Sequence, residues 1–335
     1  MKNRIFIIAE AGVNHNGKLD LAYKLIDKAA DANADAIKFQ TFTAENLVIK
    51  SAPLAKYQKK NIKIKNQYKL LKKLEFTKKM HVKCIERCKA KKIKFLSSPF
   101  SISDIKYLKS LKQKIFKIPS GEITNYPYLE YIGSLNKKII LSTGMSNSKE
   151  IFNAINILLK NGTKKKNISL LHCNSAYPTP FSDVNLNSIS FLRKKFSLNV
   201  GISDHSPGIE VPICSVAYGV TVIEKHFTLD KKMKGPDHTS SIDYKELKQM
   251  VISIRNIENS LGKTQKTISK SEKENIKIVR KSIVASKNIS KGQSFSHDNI
   301  TCKRPGFGIS PIHYNKVLGK MAYKNFKKDD LITLK

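Results

Sequence analysis

The chain has 335 residues, 40% hydrophobic and 26% charged, with a formal net charge of +36 at pH 7, enough length for one large domain and a small one. No apolar run reaches bilayer length and the first one lacks a signal-peptide pattern, which excludes a membrane span and leads us to expect a cytoplasmic protein. Of the 62 basic residues only Arg4, Arg87, Arg193, Arg255, Arg280 and Arg304 are arginine, and the lysines are scattered. A nucleic-acid surface gathers charge with arginine and stacking aromatics, so no nucleic-acid partner is expected.

Eight short apolar runs follow in order, at residues 5–9, 36–39, 93–96, 115–118, 138–141, 168–171, 200–203 and 220–224. Most are separated by segments of helical periodicity, such as 19–32, 148–160 and 184–196. Strand then helix, eight times, predicts a (β/α)8 TIM barrel; no GxGxxG follows the first strand, which argues against a doubly wound sheet. The link at 43–92 is unusually long, and its stretch 52–61 reads as a lid or substrate loop. The five cysteines, Cys84, Cys88, Cys173, Cys214 and Cys302, lack zinc-ribbon spacing and read as reduced thiols.

A barrel of this kind carries its site at the C-terminal ends of its strands. Around residues 200–228 the pattern is strand, short helix at 209–218, strand, with His205 and His226 leaving neighbouring parallel strands at the same end. Two converging imidazoles, with Asp204 and Glu224 beside them, suit a divalent metal. Lys38 and Lys117 interrupt apolar runs and need a carboxylate or a bound anion, because burying an unpaired ammonium is costly. The same ends supply Glu10, Gln40, Ser98, Ser120, Glu122, Ser175, Tyr177 and Ser203. Cations, carboxylates and a metal pair together suit a small, multiply anionic substrate and chemistry at a carbonyl. A Schiff-base aldolase working through Lys38 or Lys117 is the rival enzyme reading.

The barrel domain is expected to occupy residues 1–262, a polar linker 263–275, and a second, β-rich domain 276–335. Some 60 residues make a marginal core, so that domain is expected to dock on something. Arg304 falls in its Pro-Gly loop.

The ordered motifs IIAEAGVNHNG, AIKFQTF, APLAKYQKKN, FLSSPF, KIPSGE, LSTGM, LHCNSAYPTPFSDVNLN, ISDHS, EKHFTLD, GPDH and KRPG resemble those of the sialic acid synthases (N-acetylneuraminate synthases). The resemblance spans nearly the whole chain. It implies a TIM barrel followed by an antifreeze-like (SAF, β-clip) domain, and condensation of phosphoenolpyruvate with an N-acyl hexosamine such as N-acetylmannosamine. The products would be phosphate and a nine-carbon 2-keto sugar acid; N,N'-diacetyllegionaminate and pseudaminate synthases share the motifs and differ in the sugar. It further implies a divalent metal, Mn2+ or a substitute such as Mg2+ or Co2+, on His205 and His226. Phosphoenolpyruvate would be held by Lys38, Ser98, Lys117, Ser120, Ser175, Tyr177 and Ser203. Glu10, Glu122 and Asp237 would face the reacting atoms or the sugar. In a homodimer, Arg304 would reach the partner's site. Ala11 and Phe307 depart from the family pattern near the expected sugar region.

Overall fold

The computed structural model describes residues 4–54 and 66–335, and the chain divides into two compact units, Met1–Leu261 and Gly262–Lys335. In the first, eight parallel strands follow one another: β1 (Phe6–Gly12), β2 (Ala36–Thr41), β3 (Lys94–Pro99), β4 (Ile115–Ile118), β5 (Lys138–Ser142), β6 (Ile168–Cys173), β7 (Asn199–Asp204) and β8 (Val222–His226). They hydrogen-bond in the order β3-β2-β1-β8-β7-β6-β5-β4, and β3 and β4 lie side by side, so the sheet curls into the expected barrel. All eight apolar runs become strands. Except for 115–118, which keeps its bounds, each extends by a few residues, mostly toward its C-terminal end, or shifts by one or two, which is how polar side chains reach the barrel mouth.

Between β3 and β4 no backbone ladder forms in the described residues. Side chains bridge the seam instead. The Gln113 amide accepts from Ser97 N–H at 3.0 Å and donates to Ser97 O at 2.9 Å. The buried Tyr128 hydroxyl donates to Pro99 O at 2.9 Å.

Helices cover the outside because their apolar residues recur at helical spacing. The helix Leu19–Asp31 buries Ala22, Leu25, Ile26 and Ala29, and Ser148–Lys160 opens on a capping box between Asn147 and Glu150. The main core fills the layer between strands and helices. The expected helix after β7 is Glu210–Ser215, continued by a 3-10 turn Val216–Tyr218. The long link after β2 holds the helices Ala44–Leu47, Gln67–Leu74 and Lys78–Ala90; of the stretch read as a lid, residues 55–61 lie outside the described residues. No helix among the described residues is long and apolar enough to cross a membrane. All five cysteines are free.

The second unit corrects the linker expectation. Its first element is a helix, Lys270–Val279, whose N-cap Ser269 and Glu272 form a capping box, so half of the polar stretch is ordered. An antiparallel pair follows, β9 (Ser282–Ala285) and β10 (Ile300–Lys303), with further isolated bridges such as Ile289 to Phe326. Ile283, Ile289, Phe295, Ile300, Phe326 and Ile332 are among its own buried core.

Candidate active site

Side chains alternate across a strand, so every second residue of a barrel strand faces the axis. The innermost plug is apolar: Ile8, Ala36, Leu96, Ile140, Leu171 and Val222 pack together. Two residues further along the same strands come Glu10, Lys38, Ser98, Ser142, Cys173 and Glu224, joined by Lys117 of β4 and Ser203 of β7, and all eight line an open cavity of about 560 Å³. A last tier adds Gln40, His205 and His226. Register sets the neighbours, pairing Glu10 with Lys38 across β1 and β2, Glu10 with His226 across β1 and β8, and Ser203 with Glu224 across β7 and β8.

The middle tier is ionic. Lys38 Nζ lies 2.7 Å from Glu10 Oε2 and 3.5 Å from Glu224 Oε2, and donates to Ser98 Oγ at 2.9 Å. Lys117 Nζ lies 3.1 Å from Glu224 Oε1, which also accepts from Ser203 Oγ at 2.8 Å. Two buried ammonium groups thus face two buried carboxylates, the alternative to a bound anion that the sequence required. Burial pushes the Glu10 carboxyl from 4.5 up to about 7; Lys38 opposes the rise and Glu224 adds to it. At Glu224 burial is outweighed by Lys117, Lys38 and Ser203, so its carboxyl is held low and ionised. At Lys38 burial works against the charged form, but Glu10 and Glu224 outweigh it and hold its pKa above the ordinary lysine value.

Above this tier the rings of His205 and His226 lie 5.2 Å apart. Tyr177 stacks on His205 at 4.1 Å and presents its ring edge-on to His226 at 5.6 Å. His205 Nδ1 lies 2.5 Å from Asn174 O; a carbonyl only accepts, so Nδ1 carries the proton, and in the neutral ring Nε2 keeps the lone pair. Burial opposes charge at His205, yet Cys173 and the Asn174 carbonyl raise it above the usual histidine value. His226 is pushed well below it, by burial first and then by His205 and Lys38. Its Nδ1 is buried without a hydrogen-bond partner among the described residues, 3.9 Å from Asp237 Oδ2. Burial lifts the Asp237 carboxyl to about 6, against the pull of His205. An orphaned imidazole nitrogen facing a buried carboxylate, beside a second imidazole, fits a divalent cation. Among the described residues no three or more His, Cys, Asp or Glu side chains converge as a complete ligand set.

Gly144, at the end of β5, has a steric role. Its N–H donates to Ser120 Oγ at 3.1 Å, and a Cβ there would fall 2.4 Å from Ser175 Oγ and 2.8 Å from Ser120 Oγ. Only glycine lets the backbone approach both hydroxyls. The opposite wall is apolar, with Val13, Leu70, Leu71 and Leu74 lining the same cavity.

Twelve of the sequence candidates line this cavity: Glu10, Lys38, Gln40, Ser98, Lys117, Ser120, Ser175, Tyr177, Ser203, His205, His226 and Asp237. Two candidates do not. Glu122 sits in the 3-10 turn after β4 and accepts from Asn125 Nδ2 at 2.6 Å. Arg304 belongs to the second unit, exposed on a loop held by Ser282 Oγ, which donates to Pro305 O at 2.6 Å, and by Gly306 N–H, which donates to Lys277 O at 2.7 Å. Asp204, expected beside the histidines, faces the other way and pairs with Lys225 at 2.5 Å. Glu224 proves central, bridging both lysines. The period of two along β7 and β8 would have separated Asp204 from Glu224 in advance.

Comparison with known proteins agrees with this architecture. Residues 25–266 match the NeuB family and residues 280–335 an SAF domain. The N,N'-diacetyllegionaminic acid synthase of Campylobacter jejuni is 53% identical over 330 residues, 98% of this chain and 99% of that protein. A pseudaminic acid synthase of the same species is 37% identical over 330 residues, 98% of this chain and 95% of that protein. The crystal structure of N-acetylneuraminic acid synthetase from Leptospira borgpetersenii, in complex with citrate, superposes with a TM-score of 0.72 at 38% identity, covering 82% of this chain and 91% of that one. The chain belongs to the NeuB family, as a carbon–carbon bond-forming synthase with an SAF domain C-terminal to its barrel.

Proposed function

We propose that the chain condenses phosphoenolpyruvate with a diacetamido deoxyhexose, releasing phosphate and giving N,N'-diacetyllegionaminate. The reaction rests on one observation: a buried tier of two lysines and two carboxylates lies directly beneath a pair of imidazoles at the barrel mouth. The choice of sugar rests on identity, 53% to a diacetyllegionaminic acid synthase against 37% to a pseudaminic acid synthase and 38% to an N-acetylneuraminic acid synthetase. It displaces N-acetylmannosamine, the first expectation from the motifs.

In this reading Lys38 and Lys117 exchange their carboxylate partners in part for the substrate's carboxylate and phosphate. Ser98, Ser120, Ser175 and Ser203 supply neutral donors, and Gly144 gives the hydroxyls of Ser120 and Ser175 room. His205 and His226 would hold a divalent metal, Mn2+ as the expected ion, which would supply Lewis acidity toward the sugar aldehyde. The enol carbon adds to the aldehyde carbon, leaving C2 electron-poor. Water adds at C2, Glu10 takes its first proton and passes it to the former aldehyde oxygen, and the second leaves with phosphate as the C–O bond breaks to give the ketone. A carboxyl with a pKa of about 7 is matched to that transfer. The Schiff-base rival through Lys38 or Lys117 loses support, because Lys38 is held as an ammonium by Glu10 and Glu224, Lys117 is ion-paired with Glu224 at 3.1 Å, and an ammonium is no nucleophile. Phosphoenolpyruvate as substrate favours the cytoplasm. We further propose a homodimer in which Arg304 serves the partner's mouth, as the family resemblance implies.

The test is a product assay with phosphoenolpyruvate, Mn2+ and a panel of acyl-hexosamines. The diacetamido sugar should give the highest kcat/KM; a preference for N-acetylmannosamine would overturn the choice of sugar, and no product from any sugar would overturn the reaction. Labelled water should enter the keto acid and not the phosphate.

A further inference from the structure

The mechanism above leaves two buried charges unused. Along β7 and β8, Ser203, His205, Glu224 and His226 face the cavity, so Asp204 and Lys225 face outward, into the layer beneath the helices. Their neighbours on those outer faces, Ile202, Ile223 and Phe227, are apolar and belong to the main core. Lys225 is completely buried, at 0% exposure, and Asp204 nearly so, at 3%. Lys225 Nζ donates to Asp204 Oδ2 and to Ser206 O, each at 2.5 Å. The carboxylate of Asp204 in turn accepts from Ser206 N–H and from Ser206 Oγ, each at 3.0 Å. Two bonds therefore tie the turn 204–206 to β8, and two more hold the turn on itself. His205 is the middle residue of that turn, and His226 follows Lys225 directly.

A buried ion pair is weak evidence of stabilisation, because apolar residues of similar volume commonly do as well; its best-attested use is to fix one arrangement among several. Here the arrangement fixed is the height and spacing of two imidazoles carried by different strands. The geometry points to Asp204 and Lys225 as positioning residues for the metal-binding pair: the clamp behind the sheet holds the His205 turn against β8, so that both rings meet the ion together. This rests on the reading of His205 and His226 as metal ligands. Neither clamp residue lines the cavity, so neither touches substrate.

The experiment is calorimetric titration of the full-length protein with Mn2+ alone, and separately with phosphoenolpyruvate, alongside thermal melts. The chain contains no tryptophan, which makes heat a better signal than intrinsic fluorescence. Single removal of either charge leaves its partner unpaired, so the informative variant is the double Asp204→Leu, Lys225→Met. It is expected to melt near the wild type and bind phosphoenolpyruvate within about threefold of it, yet to lose about 10- to 100-fold in Mn2+ affinity, the range for outer-shell partners of metal ligands. Ser206→Ala keeps both charges paired and tests the same clamp should the double variant not fold; losing one hydrogen bond to Asp204, it is expected to lose about two- to tenfold in Mn2+ affinity with its melt unchanged. Wild-type Mn2+ affinity in whichever of these variants folds would overturn the positioning role while leaving the metal reading intact. Absence of Mn2+ binding by the wild-type protein would overturn both.

Discussion

Glu10 and Glu224 face the same ammonium group from adjacent strands, and their environments drive them apart. Glu224 touches both lysines and Ser203 and stays ionised; Glu10 pairs with one lysine, Lys38, accepts a long 3.4 Å hydrogen bond from Gln40 Nε2, and sits with burial against it. Such separation assigns roles, one carboxylate as a fixed counter-charge and one as a proton carrier. Glu10→Gln is expected to lower kcat by about 10²- to 10⁴-fold, the usual size of a general acid–base contribution. In the wild type kcat should rise as pH passes about 7, and the residual activity of the variant should lack that limb. The same shift has a stability consequence. A carboxyl raised from 4.5 to about 7 binds more protons folded than unfolded between those values, so stability falls as pH climbs through the interval. The melting temperature of Glu10→Gln relative to wild type should therefore improve from pH 5 to pH 8. Lys38→Ala and Lys117→Ala should raise the KM for phosphoenolpyruvate about 10- to 100-fold, from the ~1.5–3 kcal/mol of a charged hydrogen bond, with much less effect on the sugar KM.

At the level of strands and turns, alternation makes the site, and it also decides what the sequence discloses. Lys38 and Lys117 were legible because a lysine inside an apolar run demands an explanation. The histidines were legible because they end two successive strands. Asp204 was misplaced because it is adjacent in sequence to His205, whereas a strand sends adjacent residues to opposite faces. The helix Lys270–Val279 was missed because its apolar positions are few, although Ser269 and Glu272 stand at capping-box spacing. The approach of Gly144 to two serines on the segments that follow β4 and β6 is a tertiary fact, and the motif LSTGM holds only its glycine. Gly144→Ala should cost about 1–3 kcal/mol of stability, the range for overpacking, read as a lower melting midpoint, and should weaken phosphoenolpyruvate binding by displacing Ser120 and Ser175.

For the molecule as a whole, two compact units on one chain raise the question of which barrel the second unit serves. Arg304→Ala and His205→Ala are each expected to be nearly inactive. Refolded together in equal amounts they should recover about a quarter of wild-type activity, since half the dimers are mixed and each mixed dimer holds one intact site of two. No recovery from demonstrated mixed dimers would exclude action across the interface.

The barrel's seam sets where this sheet breathes. Amides of β1 and β8 are held in ladders on both sides, whereas the edge of β3 relies on a carboxamide and a phenol carried by other segments. Side chains release a backbone group more readily than a neighbouring strand does, because no cooperative ladder must break with them. In deuterium exchange, the strands at 94–99 and 115–118 should therefore take up label before the rest of the barrel, and Gln113→Ala should hasten uptake at Ser97 while leaving β8 slow. Opening that begins opposite the two histidines leaves the strands that carry His205 and His226 among the last to loosen.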